Sequence, residues 1–292
     1  MATIIHLEDI LANTDFEPPC SICYGVTSET VPGAQLVMGR TTSGPDMRNQ
    51  RHYHINCDVG QYRIDGHDKI LVGPDEDMEE LDIAPGDFCF IAKGEIHGAV
   101  GQGENCELIF CYIGVDNKEA SGTFFIEPPH GDDANQDHVR KEIKDKLSKK
   151  ENEYKIRSGV IRAPVEDKAY ALPLITGFGI NHETIENPGF IMGTSIMPPG
   201  GWNRRHYHVN ADVAMYKIKG HDKMLIGPDH DIQEMDFKAG DFIYIPKGEI
   251  HGAINLDNQE GLLVFCYPCI NSAEEGIKVY VEPHSKYENI QR

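Results

Sequence analysis

Fifty consecutive residues occur twice in this chain, and that repeat limits its possible folds more than any other feature. Residues 51–100 begin Arg51-His52-Tyr53-His54 and include Lys93-Gly94-Glu95-Ile96-His97-Gly98. Residues 205–254 begin Arg205-His206-Tyr207-His208 and include Lys247-Gly248-Glu249-Ile250-His251-Gly252. The offset is constant (206 − 52 = 251 − 97 = 154), and 31 of the 50 aligned positions are identical. A chain copied over this length is two domains of one architecture. Weaker matches widen each unit: Met38-Gly39 with Met192-Gly193, Phe110-Cys111-Tyr112 with Phe265-Cys266-Tyr267, and Ile126-Glu127-Pro128 with Val281-Glu282-Pro283. The reading is an N-terminal domain over 1–130, a charged linker over 131–158 and a C-terminal domain over 159–292. In the linker Val139, Ile143 and Leu147 recur every four residues, which predicts a short amphipathic helix.

Within each unit the signals are short and strand-like. Asp241-Phe242-Ile243-Tyr244-Ile245 is aromatic and β-branched between Ala239-Gly240 and Pro246-Lys247-Gly248 turns, and Leu262 to Tyr267 reads as a buried strand. Gly66-His67-Asp68-Lys69 and Gly220-His221-Asp222-Lys223 read as tight connections, as do Gly73-Pro74-Asp75 and Gly227-Pro228-Asp229. The fold class is therefore all-β, two tandem barrels or double-sheet sandwiches. At 292 residues, each half is long enough to bury its own core.

Charge narrows the partners. Lys and Arg number 27 against 47 Asp and Glu, a formal net charge of −20 that repels phosphate backbones and anionic lipid surfaces. Nucleic acid and membrane are excluded as partners, and with neither a secretory signal nor a transmembrane run the expectation is a cytoplasmic protein. The eight cysteines do not follow the repeat: Cys57 becomes Ala211 and Cys89 becomes Ile243, so free thiols are expected rather than a disulfide framework. Cys20-x-x-Cys23 and Cys266-x-x-Cys269 invite a four-thiolate zinc site, but Cys266 belongs to a predicted buried strand rather than a knuckle.

The repeated phrase carries the chemistry. Strand alternation turns His52, His54, Asn56 and Asp58 to one face if the strand stays regular, and His97, from a distant strand, adds a third imidazole. His206, His208, Asp212 and His251 repeat the set, and packing alone does not explain its retention in both copies. Imidazole with carboxylate suits Fe, Zn, Ni, Co or Mn, one per barrel. Asp58 and Asp212 are read either as ligands or as groups that orient an imidazole. Glu95 and Glu249, two residues before the third His, are candidate acid/base groups, with a turn-stabilising role as the alternative. Tyr62 and Tyr216 are expected to fill the barrel, His67 and His221 with Asp68 and Asp222 to serve turns or an interface, and Arg51 and Arg205 to form salt bridges.

Gly240-x5-Pro246-x-Gly248-x2-His251-x3-Asn255 matches the second signature of the cupin superfamily, and Gly200-x5-His206-x-His208-x3-Asp212 resembles the first, with Asp where Glu is usual. The first copy departs further: Ala92 replaces the proline, Gly101 the asparagine, and Gly44 lies two residues too far from His52. Two copies resemble a bicupin: two double-stranded β-helix (jelly-roll) barrels with metal in both. The shorter Asp leaves two ligand sets open. Three imidazoles alone resemble diketone- and thiol-cleaving dioxygenases, and three plus carboxylate resemble quercetinase-like dioxygenases and oxalate decarboxylases. The leading expectation is an Fe(II) dioxygenase cleaving a C–C bond of a small oxygen-chelating substrate, with O2 as co-substrate and Mn, Ni, Co or Zn as other metals. A non-oxidative decarboxylase, isomerase or lyase is the alternative, and a non-catalytic binding protein the third reading. Homo-oligomerisation is left open.

Overall fold

A computed structural model describes residues 1–126, 158–161, 166–171 and 174–282, and every regular element among them longer than one 3-10 turn is a β-strand. The expected linker helix lies outside the described residues. In the first repeat one sheet runs Gly159–Ile161, Phe88–Ile91, Val59–Asp65, Cys106–Ile113, Leu36–Ser43, Ser21–Val26. The facing sheet runs Thr123–Phe125, His52–His54, His97–Gly101, Asp68–Val72, Glu79–Ile83. The second repeat builds the same pair. Its larger sheet runs Thr3–Ile5, Phe242–Ile245, Val213–Lys219, Gly261–Pro268, Phe190–Met197, Leu174–Ile180, Glu166–Ala171. Its smaller one runs Gln233–Lys238, His221–Ile226, His251–Asn255, Trp202–His208, Lys278–Tyr280.

The apolar strands read from sequence are buried on both faces, and alternation assigns each face to a different core. Along Phe242–Ile245, Ile243 and Ile245 enter the interior of the second barrel, while Phe242 and Tyr244 enter a core shared by both barrels. Cys89 and Ile91 against Phe88 and Phe90 divide in the same way in the first barrel. Tyr62 and Tyr216, expected inside the barrels, lie in the shared core, packed on Phe88 and Phe242 respectively. Reciprocal glycines admit the phenylalanines: a Cβ on Gly25 would stand 2.3 Å from the Phe242 ring, and one on Gly179 would stand 2.1 Å from Phe88. These positions leave room for no side chain.

Each barrel also lends a strand to the other. Thr3–Ile5 pairs with Phe242–Ile245 of the second barrel, and Gly159–Ile161 pairs with Phe88–Ile91 of the first, at equivalent places in the two sheets.

The predicted turns form at Gly66, Gly73, Gly220 and Gly227, whose φ values of 76, 100, 94 and 96° favour glycine. Arg51 pairs with Asp75, and Arg205 with Asp229 and Glu282, as salt bridges were expected to do. The pairing His-Asp after each glycine splits. His67 and His221 face outward to Glu104 and Asp236. Asp68 and Asp222, expected at a turn or interface, instead point inward and form buried pairs with Arg63 (2.6 Å) and Lys217. The first strand begins at Asp68 and the second at His221, and in both the strand's alternation turns the Asp to the core. All eight cysteines are free.

Candidate metal centres

Each histidine triad comes from two hydrogen-bonded strands of the smaller sheet. His52 and His54 share one face of their strand, and His97 sits directly opposite His52; His206 and His251 are paired in the same way. Ring centroids are 4.4 Å apart for His52 and His97, 5.0 Å for His52 and His54, and 5.1 Å for His54 and His97. The second triad repeats this at 4.4, 5.0 and 5.5 Å. In each set one ring nitrogen of every histidine lies within 4.8 Å of the others, and all six side chains are buried.

Hydrogen bonds fix the tautomers. His52 Nδ1 donates to the Gln50 carbonyl (2.8 Å), His97 Nδ1 to Glu95 (2.9 Å), His206 Nδ1 to Arg204 (2.7 Å) and His251 Nδ1 to Glu249 (2.9 Å). Each Nε2 is then left as a lone-pair donor facing the triad. Burial also keeps five of the rings neutral. It pushes His97 down to about 3, His208 to about 2 and His251 to about 4, and His54 and His206 well below the ordinary imidazole value; neighbouring imidazoles add to the depression of His54, His97, His206 and His208, and the Lys278 charge to that of His206, His208 and His251. Buried, converging, oriented imidazoles fit a divalent transition metal in each barrel, and the donor set does not select among Fe, Mn, Ni, Co and Zn.

Residues 193–267 match the cupin domain family. No curated protein sequence matches the chain. Among solved structures, a formate complex of Lactobacillus farciminis oxalate decarboxylase matches at a TM-score of 0.71 and 14% identity, over 99% of this chain and 95% of that one. Bacillus subtilis oxalate decarboxylase at pH 4.6 matches at 0.69 and 14%, over 97% of this chain and 81% of that one. The chain folds as a bicupin.

The bicupin's other sequence-predicted site residues lie away from the imidazole nitrogens. The strand carrying His52 and His54 stops at His54, so Asn56 turns out to the Ala120 carbonyl. Asp58 then accepts the Lys93 amide (2.9 Å), and Asp212 likewise accepts the Lys247 amide (2.7 Å). The structure does not bring these carboxylates into the triads. Glu95 accepts the Ser158 amide (2.8 Å) and its hydroxyl, and Glu249 pairs with the amino group of Met1 (3.0 Å). Their side chains thus grip the two exchanged strands at their starts, while their carbonyls orient His97 and His251.

Three residues missed in the sequence complete the two chambers. Glu17, on the segment before the strand Ser21–Val26, is buried in the first, with Oε1 3.8 Å from His52 Nε2. It accepts hydrogen bonds from the Tyr112 hydroxyl (3.2 Å) and Asn49 Nδ2 (3.1 Å). The equivalent tyrosine of the second barrel, Tyr267, has no such carboxylate among the described residues, and its hydroxyl lies 3.4 Å from His208 Nε2. Burial pushes this phenol well above its ordinary pKa, so it keeps its proton. Lys278, directly opposite His208 in the strand register, lines the second chamber. Burial first, and then the charge of Arg204, lower its ammonium to about 8, and no carboxylate among the described residues pairs with it. The first cavity is about 60 Å³ and mixed in polarity. The second is about 100 Å³, with Phe178, Ile191, Met197, Met215, Leu263 and Phe265 among its walls and no Asp or Glu among its described lining. No spacing motif marks Glu17 or Lys278, because neither belongs to the repeated block; the register counterpart of Lys278 in the first barrel is Thr123, which lies opposite His54 and hydrogen-bonds its Nδ1 at 2.8 Å.

Proposed function

We propose that this bicupin is a metalloenzyme whose second barrel transforms a small monocarboxylate with an apolar body, without net oxidation, as a decarboxylase, isomerase or lyase does. His52, His54 and His97 would hold one divalent ion and His206, His208 and His251 another. The observation that carries the reading is the charge of the second chamber: three neutral imidazoles and an ammonium, with no acidic side chain in the described lining. A cation in apolar surroundings is costly without a counter-ion, and a carboxylate substrate supplies one.

A divalent ion at this triad would act as a Lewis acid on the substrate's carboxylate or carbonyl oxygen. Lys278 neutralises and orients the carboxylate. The Tyr267 hydroxyl, still protonated at neutral pH, stands beside the triad to deliver a proton to a developing carbanion or enolate. The apolar walls exclude water, which strengthens both interactions. The fold shared with oxalate decarboxylases supports this non-oxidative reading over the Fe(II) and O2 chemistry expected from the ligand pattern alone. The walls favour a substrate less polar than oxalate.

The test is an anaerobic screen of the metal-loaded chain against short aliphatic and aromatic carboxylates, followed by NMR and by CO2 release. Turnover without O2 is the expected result. Turnover that consumes O2 in proportion to product would overturn the proposal in favour of a dioxygenase.

A further inference from the structure

We infer that Glu17, which lies outside both cupin signatures, is the fourth metal ligand of the first barrel, in the place Asp58 holds in the motif. The inference rests on the reading of the first triad as a metal centre.

Asp58 is withdrawn, with its carboxylate engaged by the Lys93 amide at the turn. Glu17 is the acidic group that faces a triad nitrogen, its Oε1 lying 3.8 Å from His52 Nε2. Two atoms bound at adjacent positions of one octahedral ion stand about 3 Å apart, given bond lengths of roughly 2.1 Å, so a shift of less than 1 Å or so brings both onto one ion. The carboxylate is aimed rather than loose. Asn49 holds Oε2 and the Tyr112 hydroxyl holds Oε1, while the Tyr112 ring packs 4.8 Å from His54.

Its electrostatics point the same way. Glu17 is 7% exposed, both of its hydrogen-bond donors are neutral, and no Lys or Arg among the described residues forms an ion pair with it. Arg63, the arginine lining this chamber, is spent on Asp68. A buried carboxylate with neutral partners lacks a cation, and the three imidazoles beside it are placed to hold one. Two hydrogen bonds on the carboxylate also match the way liganding groups are oriented by outer partners.

The experiment titrates Co(II) into the full-length chain with the second triad silenced by His206→Ala and His251→Ala, and reads affinity by calorimetry and coordination by the visible d–d bands. On this background Glu17→Gln should weaken binding by about a hundredfold, at or beyond the upper end of the roughly 10–100-fold that loss of an outer partner costs, and change the d–d spectrum. Asp58→Asn should leave both unchanged. Tyr112→Phe, which frees Glu17 but keeps its charge, should weaken binding about tenfold with the spectrum retained. Circular dichroism checks that each variant is folded; if Glu17→Gln is not, Glu17→Asp replaces it, with the same loss expected. Unchanged affinity and spectrum in a folded Glu17 variant would overturn the assignment while leaving the metal centre standing. No Co(II) binding in the silenced parent would overturn both.

Discussion

The two chambers share their triad to within 0.4 Å in ring spacing and differ in almost everything around it. Among the described residues, the first contains a buried carboxylate with no cationic side chain paired to it, and the second a buried ammonium with no carboxylate. With a divalent ion added, the first would be partly neutralised by Glu17, and the second would carry a high positive charge. Duplication thus preserved the metal-binding chemistry and divided the rest. On the proposed reading, one copy would keep its ion and the other would bind an anionic substrate beside it. The equivalent tyrosines show the division most simply, since Tyr112 holds Glu17 while Tyr267, without such a partner, turns to His208.

The largest expected effect that sharpens this contrast is at that pair. Tyr267→Phe should lower kcat by about a hundredfold or more, the range of a lost proton donor, with KM little changed. Tyr112→Phe should leave kcat within about twofold of the parent. Equal losses in the two variants, measured by steady-state kinetics, would break the division of roles. Next, Lys278→Met should raise KM for the carboxylate by about thirtyfold, which corresponds to about 2 kcal/mol for a buried charged hydrogen bond, with a smaller change in kcat.

The smallest effect concerns acid stability of the metal-free chain. Imidazoles whose folded pKa lies below 6.5 take up protons in the unfolded chain first, so their contribution is complete above pH 6.5 and is lost as pH falls toward about 4, 3 and 2 for His251, His97 and His208. The melting temperature should therefore drop between pH 6.5 and 4. Replacing His206, His208 and His251 together by Ala should flatten that slope more than replacing His54 and His97. A slope unchanged by either set would mean that the triads are not buried and neutral.

The architecture and the six histidines were legible in the sequence because both depend on local periodicity and on spacing within a copied block. The alternation that placed Ile243 against Phe242 on opposite faces also placed His52 with His54. What stayed hidden was set by contacts between distant segments. Glu17 reaches the first triad from outside the repeat, Lys278 is set by the register of a closing strand, and Glu95 and Glu249 grip strands donated by the other barrel. Asp58 and Asp212 were read on the assumption of a regular strand, and the turn after His54 removes it. The shared core between barrels likewise has no signature in a single repeat, since Gly25 and Gly179 are informative only once Phe242 and Phe88 are seen against them.

Among the described residues the chambers carry opposite unmet charges, and a single titration can read both. The chain loaded with two Co(II) ions would be titrated with benzoate, with the paramagnetically shifted histidine signals of both triads followed by NMR. One benzoate should bind per chain, shifting only the signals of His206, His208 and His251, with binding lost in Lys278→Met and kept in Glu17→Gln. Benzoate that shifts the first triad, or that binds equally well without Lys278, would contradict this division of charge.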